Sequence, residues 1–231
     1  ERDSLCCQSM GYHPLWFNSE TYRLSADEYR EIMKYVEVLY NIPDIDDTGR
    51  RKGTELALTY IDIHTVWLPD WLSEYKDNRG HSRKDLRDWM ALRSEKKDFK
   101  NLMANALPAR FWVEWLTKDG KRKYEIDTAC LYNFLALNGF HALKDDNSDN
   151  PEYIYIDGNV VKKIKVGEIR QFVIKWVIDH HKGRDILNLV LNSPRLSGAA
   201  LESLGAVTLN FSDFSSHTYF FLFDNDPLDL H

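Results

Sequence analysis

Short apolar runs alternate with amphipathic stretches through the first half of the chain, a pattern that predicts strands interleaved with helices. Leu15–Asn18 reads as a short strand after a Gly-Tyr-His-Pro turn. Ser25-Ala-Asp-Glu28 has capping-box spacing and opens a helix to about Lys34. The run Val36–Ile42, stopped by Pro43, predicts a second strand. Beyond a polar loop at 43–52, the periodicity gives a helix over 53–61 and a strand over Ile63–Leu68. Further helices are predicted over Lys84–Leu92 and 98–106. Alternation of this kind favours a mostly parallel sheet flanked by helices.

Leu107-Pro-Ala109 marks a boundary, after which the pattern changes. Phe111–Leu116 and Lys123–Ile126 flank Thr-Lys-Asp-Gly-Lys, a hairpin signal because Asp-Gly supplies the positive φ of a tight turn. Asp127 or Thr128 caps a helix running to Asn138, with Gly139 as its stop. After the polar stretch 145–150, Tyr153–Ile156 and Val160–Val166 form a second hairpin. Helices are then expected at about 168–180, 184–192 and 198–204, and strands near 206–211 and 218–223. The expected organisation is an α/β domain over 1–107 and an α+β domain over 108–231.

Composition narrows this picture. Hydrophobic residues make up 43% of the chain, with 7 Trp, 12 Tyr and 11 Phe, enough for substantial cores. No apolar run approaches the roughly 18 residues of a membrane span, so no membrane partner is expected. A start at Glu1-Arg2-Asp3, without Met or a basic-then-apolar leader, reads as lying inside a longer protein with no secretion signal. Three cysteines, with Cys6 and Cys7 adjacent, have no disulfide-framework spacing and suit a reducing cytoplasm; a zinc site with His13 is disfavoured. The net charge of −6 argues against electrostatic coating of duplex DNA, so nucleic-acid contact is expected to be local.

Candidate chemistry concentrates in Ile42-Pro-Asp44-Ile-Asp46-Asp47-Thr-Gly49-Arg50. Asp44 and Asp46 follow a predicted strand, where the chain leaves the sheet and side chains converge on a crevice. Carboxylates so placed can share Mg²⁺ (or Mn²⁺), which takes oxygen ligands and keeps waters for substrate phosphates. Arg50, Arg51 and Lys52 open the next helix, where they can meet a phosphate or simply balance the aspartates. Lys84 carries the same ambiguity.

The Asp44-x-Asp46 stretch with its following Gly49 resembles the Asp-x-Asp motif of Toprim domains, found in DnaG-type primases, topoisomerases and phage primase-helicases. Lys84-Asp85-Leu-Arg-Asp88 is similar to the Lys-Asp-x-x-(Asp/Glu) element of primase Toprim domains. Glu1-Arg2-Asp3 resembles the end of the Glu-Gly-x-x-Asp motif that carries the family's general acid/base. In that alignment Asp3 matches the motif's Asp and the catalytic Glu lies before residue 1; an alternative alignment gives Glu1 the role. The second half resembles the linker between primase and helicase in phage and plasmid enzymes, through Phe111-Trp-Val-Glu-Trp, Asn138-Gly139-Phe140, the 153–166 hairpin and the closing Ser212-Asp-Phe and Thr218–Phe221.

The resemblance implies a truncated Toprim-like α/β domain followed by an α+β connector, part of a DNA-replication enzyme that makes primers by Mg²⁺-dependent nucleotidyl transfer. It implies metal ligands Asp44, Asp46 and Asp85, with Asp44 and Asp46 catalytic, and phosphate or nucleic-acid contacts at Arg50, Arg51, Lys52 and Lys84. Its partners would be single-stranded template DNA, nucleotides and a helicase domain C-terminal to residue 231. No Walker A loop occurs, so no ATPase is expected of this chain. A non-catalytic DNA- or helicase-binding connector and a Toprim-type nuclease stay open as alternatives.

Other readings compete for single motifs. Asp44-x-Asp46-x-Thr48-Gly49 with Glu55 matches EF-hand calcium-loop positions, although a strand, Pro43 and three cations surround it. The aspartates can also be a polar turn capping the next helix. His180-His181 fit a helix end. Trp112, Trp115 and Trp176 can stack on unpaired bases, although their placement favours the core.

Overall fold

The computed structural model describes residues 2–17, 22–93, 95–143, 152–158, 160–202 and 204–207. It is a mixed α/β protein of helices and small sheets that divides into two compact units, 1–109 and 110–231. Among the described residues no helix is long and apolar enough to cross a membrane.

Unit 1 opens with a helix absent from the sequence pattern, α1 (Arg2–Ser9), which packs on a later helix. The expected strand at Leu15–Asn18 does not form over 15–17; Leu15, Trp16 and Phe17 lie in irregular chain with exposed side chains, and residue 18 lies outside the described residues. Without a neighbouring strand, β propensity leaves backbone N–H and C=O groups unpaired. α2 (Ala26–Ile32) begins as its sequence dictates, with Ser25 and Glu28 closing a reciprocal capping box.

The expected strand 36–42 contracts to β1 (Tyr40–Asn41), because its partner β2 (His64–Thr65) offers only two residues in parallel register. Between them runs α3 (Asp47–Thr59). It begins six positions earlier than the periodicity suggested, because Asp46 caps it and converts most of the expected 43–52 loop into helix. α4 (Leu86–Leu92), capped by Asp85, and α5 (Lys96–Ala104) complete the unit. Leu72, Leu86, Trp89, Phe99 and Met103 form its core with Val66 and Leu68. Parallel pairing among the described residues is thus confined to short two-residue ladders.

In unit 2, β3 (Trp112–Leu116) and β4 (Arg122–Ile126) form the expected antiparallel hairpin. α6 (Thr128–Leu137) follows, capped by Asp127. A strand that the sequence reading missed, β5 (Phe140–Leu143), pairs with β6 (Glu152–Asp157), which pairs with β7 (Val160–Ile164). The helices α7 (Val166–Asp179), α8 (Arg184–Leu191) and α9 (Gly198–Leu201) precede β8 (Ala206–Val207), which joins β5 in parallel. The sheet order is β7-β6-β5-β8. Of the two last predicted strands, the first is seen only at 206–207 and the second lies outside the described residues.

Aromatic side chains hold this core together. Phe134 is fully buried, with ring centroids 4.9 Å from both Phe111 and Trp176, and Phe172 links it to Phe140. Such pairs add about 0.5–1.5 kcal/mol each beyond area burial. Trp112 and Trp176 are therefore core residues, each 8% exposed, whereas Trp115 is 44% exposed.

The α6–β5 junction turns on Gly139, at φ +85°. A Cβ there would stand 2.2 Å from the Ile156 carbonyl oxygen, and the Gly139 carbonyl accepts from Ile156 N–H at 2.8 Å. Gly139→Ala is expected to lower the unfolding free energy by about 2 kcal/mol or more, measured by urea denaturation, because strain and collision act together.

Candidate functional site

Asp44 and Asp46 sit just past the carboxyl end of β1, on a loop that crosses the first turns of α3 at very short range. A Cβ on Gly49 would lie 2.4 Å from the Asp44 carbonyl oxygen, and one on Gly53 would lie 2.7 Å from Pro43 Cγ. These i and i+4 glycines form one bare stripe on the helix, and the loop rests in it. Gly49 is thus required by close approach, with ordinary helical backbone.

The second sequence element meets this loop directly. Ile45 N–H donates to the Lys84 carbonyl at 3.0 Å, fixing residue 84 beside the aspartates. The Lys84 ammonium then lies 2.5 Å from Asp46 Oδ2 and 3.4 Å from Asp44 Oδ2. Asp46 Oδ1 accepts from Gly49 N–H at 2.8 Å, so one carboxylate both caps α3 and pairs with Lys84. The capping role that the sequence left as an alternative is real, and it leaves the other oxygen facing the cation.

Asp85 does the same for α4, accepting from Asp88 N–H at 2.7 Å. Its neighbours were only partly legible in sequence. Asp88, 7% exposed, accepts from the Lys84 backbone N–H at 3.0 Å and lies 3.7 Å from Arg83 and 3.5 Å from Arg87, as a buried charge requires. Asp3, on α1, accepts from the Arg87 N–H at 2.9 Å, which brings it to the N-terminus of α4 near Asp85. The alternation Arg83-Lys84-Asp85-Leu-Arg87-Asp88 was the available signal for this network.

The three candidate ligands differ electrostatically. Burial holds Asp44 above the usual carboxylate range; Lys84 pulls it back only partly, and the Asp46 and Asp85 charges push it up further. Asp46 is lowered, chiefly by its bond to Lys84 and then by Gly49 N–H. Both side chains are 39% exposed, but more protein surrounds Asp44 and its contact with Lys84 is the longer one. Burial also raises Asp85, against the Asp88 N–H bond, with the Asp3 and Asp88 charges adding to the rise. Lys84 is correspondingly raised, first by Asp46.

Two hard carboxylate oxygens grouped about one cation fit what Mg²⁺ asks of a protein that leaves its other positions to water and phosphate. Asp85 lies near enough for its charge to raise Asp44; among the described residues no group of three or more His, Cys, Asp or Glu side chains is placed to hold a metal ion. The calcium-loop alternative fails on conformation, since 47–59 is helical and Glu55 pairs on the helix surface with Arg51 at 3.4 Å and Lys52 at 2.8 Å. Arg50 turns back to the Ile45 carbonyl, Nε to O 2.9 Å, and pairs with Asp70. Of the four expected phosphate contacts, only Lys84 stands between the aspartates.

Asp85 provides a pH test. A carboxyl whose folded pKa is raised binds its proton more tightly when folded, so its ionisation weakens the fold as pH rises through the window above the unfolded value of about 3.9. Asn caps a helix as well as Asp. Asp85→Asn is therefore expected to raise the unfolding free energy at pH 7 by about 0.5 kcal/mol or more, and the gain should vanish near pH 3, followed by denaturant melts across pH. Comparison with models of known families, with curated proteins and with solved structures finds no match for this chain.

Proposed function

We propose that residues 36–90 form the metal-binding part of a Toprim-like domain and that the chain belongs to a DNA-replication primase-helicase, with residues 108–231 as its connector. The observation that supports this most is the meeting of the two motif elements: Lys84 reaches both Asp44 and Asp46, 38 residues from the latter in sequence. Asp44 and Asp46 would hold Mg²⁺ or Mn²⁺, which supplies charge stabilisation to phosphates during nucleotidyl transfer.

This chain's own residues contribute the rest. Gly49 and Pro43 fix the height of Asp44 over α3. The Gly49 N–H group orients the Asp46 carboxylate. Lys84, whose backbone is held by Ile45 N–H and the Asp88 carboxylate, keeps its ammonium beside both aspartates, where it would also meet a phosphate oxygen bound at this crevice. The crevice at the carboxyl end of a βαβ unit is where α/β proteins bind such ligands. Template DNA, nucleotides and a C-terminal helicase domain would be the partners, in a cytoplasmic setting.

The same ion pair favours a second reading, a non-catalytic module in which Lys84 locks the 43–46 loop to the start of α4. Titration calorimetry with Mn²⁺, together with Mn²⁺- and Mg²⁺-dependent primer-synthesis and DNA-cleavage assays, separates the two. For the first reading, Asp44→Asn combined with Asp46→Asn is expected to reduce metal affinity or metal-dependent turnover about 100-fold. Unchanged metal affinity with a lowered unfolding midpoint identifies the lock. Cleavage without synthesis assigns the carboxylates to a nuclease.

A further inference from the structure

The outer face of the β3–β4 hairpin carries a tryptophan that the core does not use. Residues three apart on a strand point to opposite sides, so Trp112 faces the core and Trp115 faces away from it. The register places Val113 opposite Glu125, Trp115 opposite Lys123 and Thr117 opposite the turn residue Lys121. Val113 and Trp115 are 42% and 44% exposed. Directly opposite side chains on such a face stand about 5 Å apart at Cβ, which puts the stem of Lys123 alongside Trp115, with Lys121 and Glu125 on its two diagonals.

The tip is rigidly closed. Thr117 N–H donates to the Lys121 carbonyl at 2.9 Å, the Thr117 hydroxyl bonds Lys121 on both sides at 3.1 Å, and Gly120 takes φ +74°. At the tip Lys118, Lys121, Arg122 and Lys123 are all exposed beside one acid, Asp119, while the exposed Glu114 and Glu125 lie further down the strands, Glu125 opposite Val113 on the Trp115 face. None of the four makes an ion pair among the described residues. In a chain of net charge −6 this is a local concentration of positive charge, carried on a fixed scaffold with one flat aromatic face.

We infer that this hairpin face is a docking platform for single-stranded DNA, with a base stacked on Trp115 and the flanking phosphates on Lys121 and Lys123. Every base offers a π-face once unpaired, and aromatic stacking combined with a basic track is how single strands are held without sequence readout. A duplex keeps its base faces covered, and the acidic remainder of the chain disfavours a long one. A deoxyribose strand supplies both the base face and the phosphates that these residues engage. The inference stands on unit 2 alone and is independent of the carboxylate reading.

Fluorescence anisotropy of the whole chain with a labelled oligo-dT of about 12 nucleotides, within the usual single-strand footprint, tests it. Trp115→Ala is expected to weaken binding about 5- to 150-fold, the loss of one stacked base, and Trp115→Phe to restore most of it. Lys121→Gln with Lys123→Gln is expected to flatten the dependence of log affinity on log salt by about 0.7 for each phosphate left without its lysine. This charge pair tests the face without touching the indole, so it decides the matter even if Trp115→Ala unfolds. Affinity unchanged in both variants overturns the inference. Equal affinity for duplex, a preference of about tenfold or more for oligo-U, or displacement by poly-glutamate as effective as by oligo-dT also overturns it, the last pointing to an acidic peptide.

Discussion

Unit 1's candidate site depends on how closely a loop can pass over a helix. Pro43 and Asp44 lie against the first two turns of α3 at distances where a single methyl group would collide with the Asp44 carbonyl or with the Pro43 ring. Gly49 and Gly53 each weaken α3 by about 1 kcal/mol relative to alanine. In return the position of Asp44 is set by backbone contact, which is stiffer than side-chain packing. With the loop seated, Ile45 N–H meets the Lys84 carbonyl, and the charged side chains of both segments share one small volume.

That volume is crowded with charge of both signs. Asp44, Asp46, Asp85 and Asp88 stand with Arg83, Lys84 and Arg87 in contacts of 2.5–3.7 Å. The carboxylates do not respond alike: Asp46, gripped by Lys84 and an N–H group, is held in its ionised form, while burial pushes Asp44 and Asp85 the other way. Opposed shifts among neighbouring acids are the usual mark of a site arranged for ligand or proton chemistry, and structural ion-pair networks share it. Both helix caps are part of the arrangement, because Asp46 and Asp85 each give one oxygen to a helix N-terminus.

Unit 2 solves a different problem with the same residue types. Its aromatic side chains divide by strand parity and helix face: Phe111, Phe134 and Trp176 interlock inside, while Trp115, three positions from the buried Trp112, is left in water beside lysines. Only the base of the hairpin, Trp112 and Ile126, is in the core, so the rest of it projects into solvent on both faces. What the Trp115 face carries is free to serve contact with a partner.

Local rules alone dictated the Ser25–Glu28 capping box, the Asp127 cap, the Gly139 stop and the Asp-Gly hairpin, since each depends on residues within a few positions of one another. The pairing of Asp-x-Asp with Lys84-Asp85 could be suspected from motif order, but not its geometry. Strand length was decided by tertiary structure: the apolar runs at 15–17 and 36–39 stay irregular and β5 forms, because a strand exists only where another chain segment offers its N–H and C=O groups. The role of Gly53, the seat of Asp3 on α4 and the exposure of Trp115 were decided the same way. Each depends on what arrives from far along the chain, and periodicity carries no information about that.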